Sequence, residues 1–377
     1  MDAALSRPPA GARFATTAVF FINGIGIGAW SAAVPALKAL FQLTDGGLSL
    51  ILLAFAAGAV TSMPLAGALA PRWGGAGRVT AFAAYAFLIS LAAPLLAPDY
   101  AALAAAAFVI GAANGVMDVS MNAHATGVER EWGSPIMSSF HAAFSVGGLA
   151  GAGLGAGLLA AGLGARGMLA ATAALGVAML LATTPRLGEG ERIGAGEPLG
   201  WPERAFVGLA AAAFLCFLVE GAMVDWSGVY LVSRGSPLAT ASIGFAGFAA
   251  MMVAMRLIGD AVVSRIGRKG AIAGGALVAS AGLALAAAAN SAPLIVAGCS
   301  LVGLGLANVV PSLFTLSSRL ASSPARGVAA AATAGYSGLI AGPPFVGAIA
   351  SVSDLRTGIA ALALTALLAA GISAASL

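Results

Sequence analysis

Apolar runs of 18 or more residues recur from one end of this chain to the other, each long enough to cross a hydrocarbon layer about 30 Å thick. That recurrence makes the membrane the solvent. Of 377 residues, 60% are hydrophobic and only 8% charged, against roughly 25% charged in a soluble domain. In lipid every backbone N–H and C=O must find a partner inside the protein, which leaves helices and closed barrels as spanning structures. The runs are rich in Ala, Leu and Gly, too long for the roughly 10-residue strands of a barrel, and show no alternating polarity. The expectation is an all-α membrane protein of twelve transmembrane helices, and the first run, too long for the core of a signal peptide, is expected to stay as the first helix.

Breaks at polar, Pro and Gly residues divide the chain into helices over 14–41, 48–70, 79–97, 100–125, 135–161 and 168–184, then 205–231, 239–264, 270–289, 293–318, 327–350 and 357–377. Pro185 to Arg204 is the longest polar stretch, with Arg186, Glu189, Glu191, Arg192, Glu197, Glu203 and Arg204. It reads as a cytoplasmic linker, 185–204, between six-helix bundles at 1–184 and 205–377. With the N-terminus in the cytoplasm, 13 of the 18 Lys and Arg fall inside: Arg7, Arg13, Arg72, Arg78, Arg130, Arg186, Arg192, Arg204, Arg265, Arg268, Lys269, Arg319 and Arg326. Lys38, Arg166, Arg234 and Arg356 fall outside, and Arg256 lies within the eighth helix. Positive charge in short loops sets orientation, so both termini are expected in the cytoplasm, with the chain in a bacterial inner (cell) membrane. The same scatter of basic residues over short loops accounts for the net charge of +4 without nucleic-acid binding. Cys216 and Cys299 sit within apolar runs and read as small buried groups rather than a disulfide.

The halves resemble each other at an offset of 192 to 196 residues. Ala29-Trp30-Ser31 matches Asp225-Trp226-Ser227, Gly111-Ala-Ala-Asn114 matches Gly305-Leu-Ala-Asn308, and Phe144-Ser145 matches Tyr336-Ser337. Several matches in register argue for a duplicated unit, the arrangement of transporters whose halves rock about a central site. Gly147, Gly151 and Gly155 repeat every four residues in the fifth helix, a spacing that lets helices approach closely. Gly24, Gly26 and Gly28 lie inside an apolar helix with no preceding strand, so they are no dinucleotide loop.

Gly67-Ala-Leu-Ala-Pro71-Arg72-Trp73-Gly74 and Asp260-Ala-Val-Val-Ser264-Arg265-Ile-Gly267-Arg268-Lys269 occupy the same place in the two halves. Both resemble the cytoplasmic loop signature of the major facilitator superfamily, Gly-x-x-x-Asp-Arg-x-Gly-Arg-Arg/Lys, with Pro71 and Ser264 in place of the acid. Asn114-Gly-Val-Met-Asp118-Val-Ser-Met-Asn122, Ser138-Ser-Phe-His141, Glu220-Gly-Ala-Met-Val-Asp225-Trp226-Ser227 and Arg256-Leu-Ile-Gly-Asp260 resemble the bacterial branch grouped with the membrane protein of rhizopine synthesis clusters. The fucose:proton symporters are similar but more distant; they use acids in helices 1 and 4, and here helix 4 supplies Asp118 whereas helix 1 supplies Asn23. Gly338-Leu-Ile-Ala-Gly342-Pro343-Pro344 resembles a Gly-Pro signature of the superfamily's antiporters, displaced to the eleventh helix, where it supports bending. The resemblance implies two pseudo-symmetric six-helix bundles, with helices 1, 4, 7 and 10 lining a central cavity, and conformational gating by Arg72, Arg256, Asp260, Arg265 and Arg268.

Ionisable side chains within an apolar layer are costly and usually face water or a partner. Asp118, His141, Glu220, Asp225, Arg256 and Asp260 are of this kind. Arg256 and Asp260, four apart on one helix, read equally as an internal ion pair. Asn23, Asn114 and Asn308 all lie roughly 15 Å from the inner ends of their helices. In the superfamily's arrangement they form a ring of amides at the midplane, with Trp30 and Trp226 above and Glu220 and Tyr336 completing a substrate site; hydrogen bonding between helices is the plainer alternative. Asp118 and His141, each roughly 10 Å deep, form a candidate proton site with Glu220. Asn122 and Ser138 stand one turn away, and a static tie between helices 4 and 5 is the alternative. No Walker loop, His-Glu-x-x-His or Gly-x-Ser-x-Gly is present, so no enzyme is expected. The expectation is a monomeric secondary transporter of a small polar solute, sugar- or polyol-like, with protons as coupling ion and no cofactor or metal. A drug or metabolite efflux antiporter is the rival, followed by a membrane sensor or scaffold.

Overall fold

The computed structural model describes residues 10–133, 136–188, 206–320 and 324–376, apart from the side chains at 64, 67, 71, 138, 260, 318–320, 324–330 and 332. Among the described residues, twelve helices are long and apolar enough to cross a membrane, and none of these residues is in a strand. The first half contributes α1 (Ala10–Leu40), α2 (Asp45–Trp73), α3 (Ala76–Ser90), α4 (Tyr100–Trp132), α5 (Met137–Ala160) and α6 (Gly164–Thr183). The second contributes α7 (Val207–Ser233), α8 (Ile243–Leu257), α9 (Gly259–Ala288), α10 (Ala292–Leu306), α11 (Val309–Leu320), α12 (Pro324–Val352) and α13 (Leu355–Ser376). α10 and α11 share the tenth crossing, so α12 and α13 are the eleventh and twelfth. Beyond Gly188, the linker expected at 185–204 lies outside the described residues.

Three departures from the expected helices have local causes. α4 runs to Trp132 rather than ending at 125, because the Glu129 carboxylate accepts the free N–H groups of Ile136 and Met137 at 2.7 and 2.6 Å and so caps the start of α5. The helix then stops at Gly133, whose φ of 73° is the left-handed terminator only glycine adopts freely. The tenth helix, expected continuous over 293–318, is broken at Ala307 and Asn308. Pro311 has no N–H to give the carbonyl four residues back. The eighth is likewise interrupted at Ile258 (φ −106°, ψ 2°). The two loop motifs turn where they carry glycine: Gly74 and Gly75 have φ of 85° and 124°, and Gly267 has φ 72°.

The chain forms two compact units, Met1–Ala33 with Ala54–Gly196, and Val34–Leu53 with Glu197–Leu377. The hairpin joining α1 to α2, closed by the Lys38–Asp45 ion pair, therefore groups with the second unit. Within that unit Ser49 occupies the space a Cβ at Gly347 would need.

Each unit is held by helices in backbone-to-backbone contact. A Cβ on Gly147 or Gly151 of α5 would run into the carbonyls of Phe21 and Ile25 of α1, and one on Gly28 into that of Gly148. In the second unit Gly338 and Gly342 of α12 meet the carbonyls of Phe214 and Leu218 of α7, and Gly221 meets that of Leu339. These partners lie 191 or 193 residues further along the chain, so the repeat is one of contacts as well as residue types. Gly111 against Phe55 and Gly303 against Phe248 tie α4 to α2 and α10 to α8 in the same way. Arginines repeat too. Arg166 donates to the Ala97 carbonyl at 2.6 Å, and Arg356 to those of Ala287 and Ala288 at 2.6 and 3.1 Å, each cation neutralising a carbonyl-rich helix end.

Candidate functional site

In the first unit, α1 and α4 bring two of the expected amides together. Asn23 Nδ2 donates to Asn114 Oδ1 at 2.8 Å and contacts Met117 Sδ at 3.3 Å. Asn23 is fully enclosed, while Asn114 is half-buried. Asn114 thereby receives on its oxygen and keeps its own NH2 as a donor at the accessible end of the pair. One turn on, Asn122 Nδ2 donates to the carbonyl and the carboxylate of Asp118 at 2.9 and 3.2 Å. His141 on α5 is exposed and lies edge-on to Phe20 with ring centres 5.4 Å apart. Ser138, expected to complete that group, has its side chain outside the described residues. Trp30 is buried, stacks on Phe55 at 5.5 Å, and its indole N–H meets no acceptor among the described residues.

The second unit is built differently at the matching places. Trp226 is as buried as Trp30, but its N–H is already spent on the carbonyl of Pro343 at 3.1 Å. α12 stays helical through Pro343 and Pro344, and Tyr336 on the same helix lies 6.3 Å from Phe217 of α7, ring centre to ring centre. Arg256 and Glu220 are both half-buried, and Arg256 Nε donates to the Ala307 carbonyl at 3.3 Å. The alternative partner expected for Arg256, Asp260, has its side chain outside the described residues. Asp225 is half-buried.

The sequence match that equates Asn308 with Asn114 is displaced by two residues. Gly303, not Gly305, makes the contact that Gly111 makes, so Asn308 falls beyond the position corresponding to Asn114. Its amide meets a different helix: Oδ1 and Cγ occupy the space a Cβ on Gly259 would need. Asn308 is 9% exposed, and its Nδ2 has no hydrogen-bond partner among the described residues. Gly259 and Pro311 are the site-forming residues that motif matching passes over. Pro311 was visible as a breaker inside an apolar run, whereas Gly259 was one glycine among 52.

Of the expected gating residues, Arg72 and Arg265 are exposed and Arg268 is half-exposed on the loops around Gly74 and Gly267. No group of three or more His, Cys, Asp or Glu able to hold a metal occurs among the described residues.

The sequence profile of the Major Facilitator Superfamily matches residues 16–343. An uncharacterised MFS-type transporter of Yersinia pestis is 38% identical, covering 95% of this chain and 94% of its own. Membrane protein MosC of Rhizobium meliloti is 34% identical, covering 92% and 86%. Among solved structures, the bacterial homologue of the human lysosomal transporter Spinster, inward-facing and unoccupied, superposes with a TM-score of 0.78 at 16% identity, covering 98% of this chain and 97% of that one. The nucleoside transporter NupG superposes at 0.71 with 16% identity, covering 97% and 98%. At that identity the two structures speak for the fold, and the sequence relatives speak for the family. A repeated six-helix unit, polar side chains in membrane-spanning helices and a profile matched over most of the chain make this protein a member of the major facilitator superfamily.

Proposed function

We propose that the chain is a proton-coupled transporter that moves a small polar solute, sugar- or polyol-like, across the inner membrane by alternating access, with both termini in the cytoplasm. The observation that carries the solute class is the Asn23–Asn114 pair. A polyol is recognised by donors and acceptors fixed at short range, and in hydrocarbon such groups are retained against a cost. Asn23 orients Asn114, Asn114 offers its NH2, and Trp30 supplies a flat apolar face with one open N–H. Trp226, Glu220 and Tyr336 are the second unit's own candidates for contact with a solute. Asp118 and His141 are the proton-coupling candidates of the first unit, joined by Glu220 in the second. The orientation rests on the excess of Lys and Arg, 13 of 18, in the loops assigned inside. All four basic residues assigned outside are engaged, Lys38 with Asp45, Arg166 and Arg356 with helix ends, and Arg234 with Asn290 at 2.9 Å.

The test is uptake into proteoliposomes of the purified chain, with labelled myo-inositol and hexoses as probes. Wild type should accumulate a probe when an inward proton gradient is applied. Asp118→Asn should lose accumulation while keeping counterflow, because exchange at equal pH needs no proton cycle. Accumulation at the wild-type level in both Asp118→Asn and His141→Gln rejects the proton assignment. Failure of every neutral probe, alongside movement of an amphipathic drug, moves the reading to efflux.

A further inference from the structure

Two interrupted helices meet in the second unit, and what they enclose has a chemistry of its own. α10 ends because Pro311 cannot return a hydrogen to the Ala307 carbonyl. Arg256, reaching from α8, supplies that hydrogen instead at 3.3 Å. The break in α8 and α9 leaves Gly259 with no side chain where the Asn308 amide now sits. Any other residue at 259 would evict that amide. The seat is thus specific, yet the group it seats is unsatisfied: Asn308 is 9% exposed and its Nδ2 donates to nothing among the described residues. A buried amide held in place but left one hydrogen bond short costs stability in the empty protein. Half-buried Arg256 stands next to it through its bond to the Ala307 carbonyl.

We infer that Asn308 Nδ2 is a solute-contacting donor, kept open for an acceptor oxygen of a hydroxyl- or carbonyl-bearing solute. The inference rests on the transporter function proposed above. Arg256 is accordingly a positioning residue of the site, because it holds the Ala307 carbonyl next to Asn308, rather than a gating residue of the loop.

Melting of the full-length chain in detergent separates a ligand donor from a structural one without knowing the solute. Asn308→Leu, close in size and without polar atoms, should melt at or above wild type, since it removes an unsatisfied group. Asn23→Leu, which breaks a satisfied pair, should melt lower. Asn308→Val, which is smaller and likewise without polar atoms, repeats the comparison should leucine prevent folding. In proteoliposomes, myo-inositol counterflow should drop roughly five- to tenfold in either Asn308 variant, the loss of about one hydrogen bond. An Asn308 variant that melts as low as Asn23→Leu, or that keeps wild-type counterflow, overturns the inference. Absence of myo-inositol counterflow in wild type counts against the polyol class alone, and the melting order still decides what Asn308 is for.

Discussion

Removing the side chain of Asn114 takes away an acceptor that Asn23 uses and a donor that nothing among the described residues uses. Asn114→Ala should therefore have two effects: a stability loss of about 1 kcal/mol from the orphaned Asn23 amide, read as a lower melting temperature, and a rise in solute Kd. A variant with lowered stability and unchanged affinity would make the pair purely structural. Asp354 offers a cleaner electrostatic test, since it lies outside the membrane spans. Hydrogen bonds from the Thr357 N–H and hydroxyl at 2.7 and 2.8 Å hold its carboxyl below its ordinary value. A carboxyl depressed in the fold stabilises it above the unfolded value, about 3.9, and that stabilisation is lost as pH falls through the folded value. Melting curves of wild type and Asp354→Asn should diverge between neutral pH and about pH 3, wild type losing the extra stability on acidification. Superimposable pH profiles would show that the cap contributes nothing. At this scale the sequence was informative about Asn23 and Asn114, which the fold pairs at 2.8 Å, although α4 runs past its expected end at 125 to Trp132 and so shifts the depth counted from that end. It misplaced Asn308, because Pro311 breaks the count just where that residue's direction is decided.

The helices touch through glycine, and that makes substitution steeply position-dependent. Gly151→Val on α5 would drive a branched side chain into the Ile25 carbonyl of α1, whereas Gly153, two residues on, has nothing within 4 Å of its Cβ position. Gly151→Val should abolish recovery of folded protein from detergent, while Gly153→Ala should be neutral or stabilise by up to about 1 kcal/mol through helix propensity. Equal expression and melting of the two variants would rule out the close α1–α5 contact. The i+4 glycine spacing announces such a contact, yet it cannot say which helix is the partner. That information lies in the facing pattern of α1, where Gly28 meets Gly148. The length of α4 was illegible for a different reason: Glu129 looks like a loop residue until the free N–H groups of Ile136 and Met137 are seen around it.

For the molecule as a whole, membrane orientation is the property most open to direct test. Single cysteines at positions 166, 234 and 356, in a background lacking Cys216 and Cys299, should react with an impermeant maleimide added from the periplasm. Protection of all three would reverse the proposed orientation. The arginines at these positions bond to helix ends or to Asn290, so replacing Arg356 should also loosen the joint between α9 and α13, since the carbonyls of Ala287 and Ala288 lose their donor. The repeat was readable from a few residue matches, and the family from its loop motifs. The contact register was not, because equivalent glycines need not sit at equal spacing from equivalent asparagines.

The bond from Arg256 to Ala307 has a mechanical meaning. A helix interrupted by proline has no hydrogen bond of its own across the gap, so the stiffness of α10 against α11 is borrowed from a side chain on another helix. The tenth crossing then behaves as an articulated rod whose joint is tightened or slackened by whatever engages Arg256. Pro311→Ala would give the Ala307 carbonyl a backbone partner and weld the rod straight. Amide exchange across Asn308 to Ser312 should slow in that variant, and transport should fall even though every polar group of the site is still present.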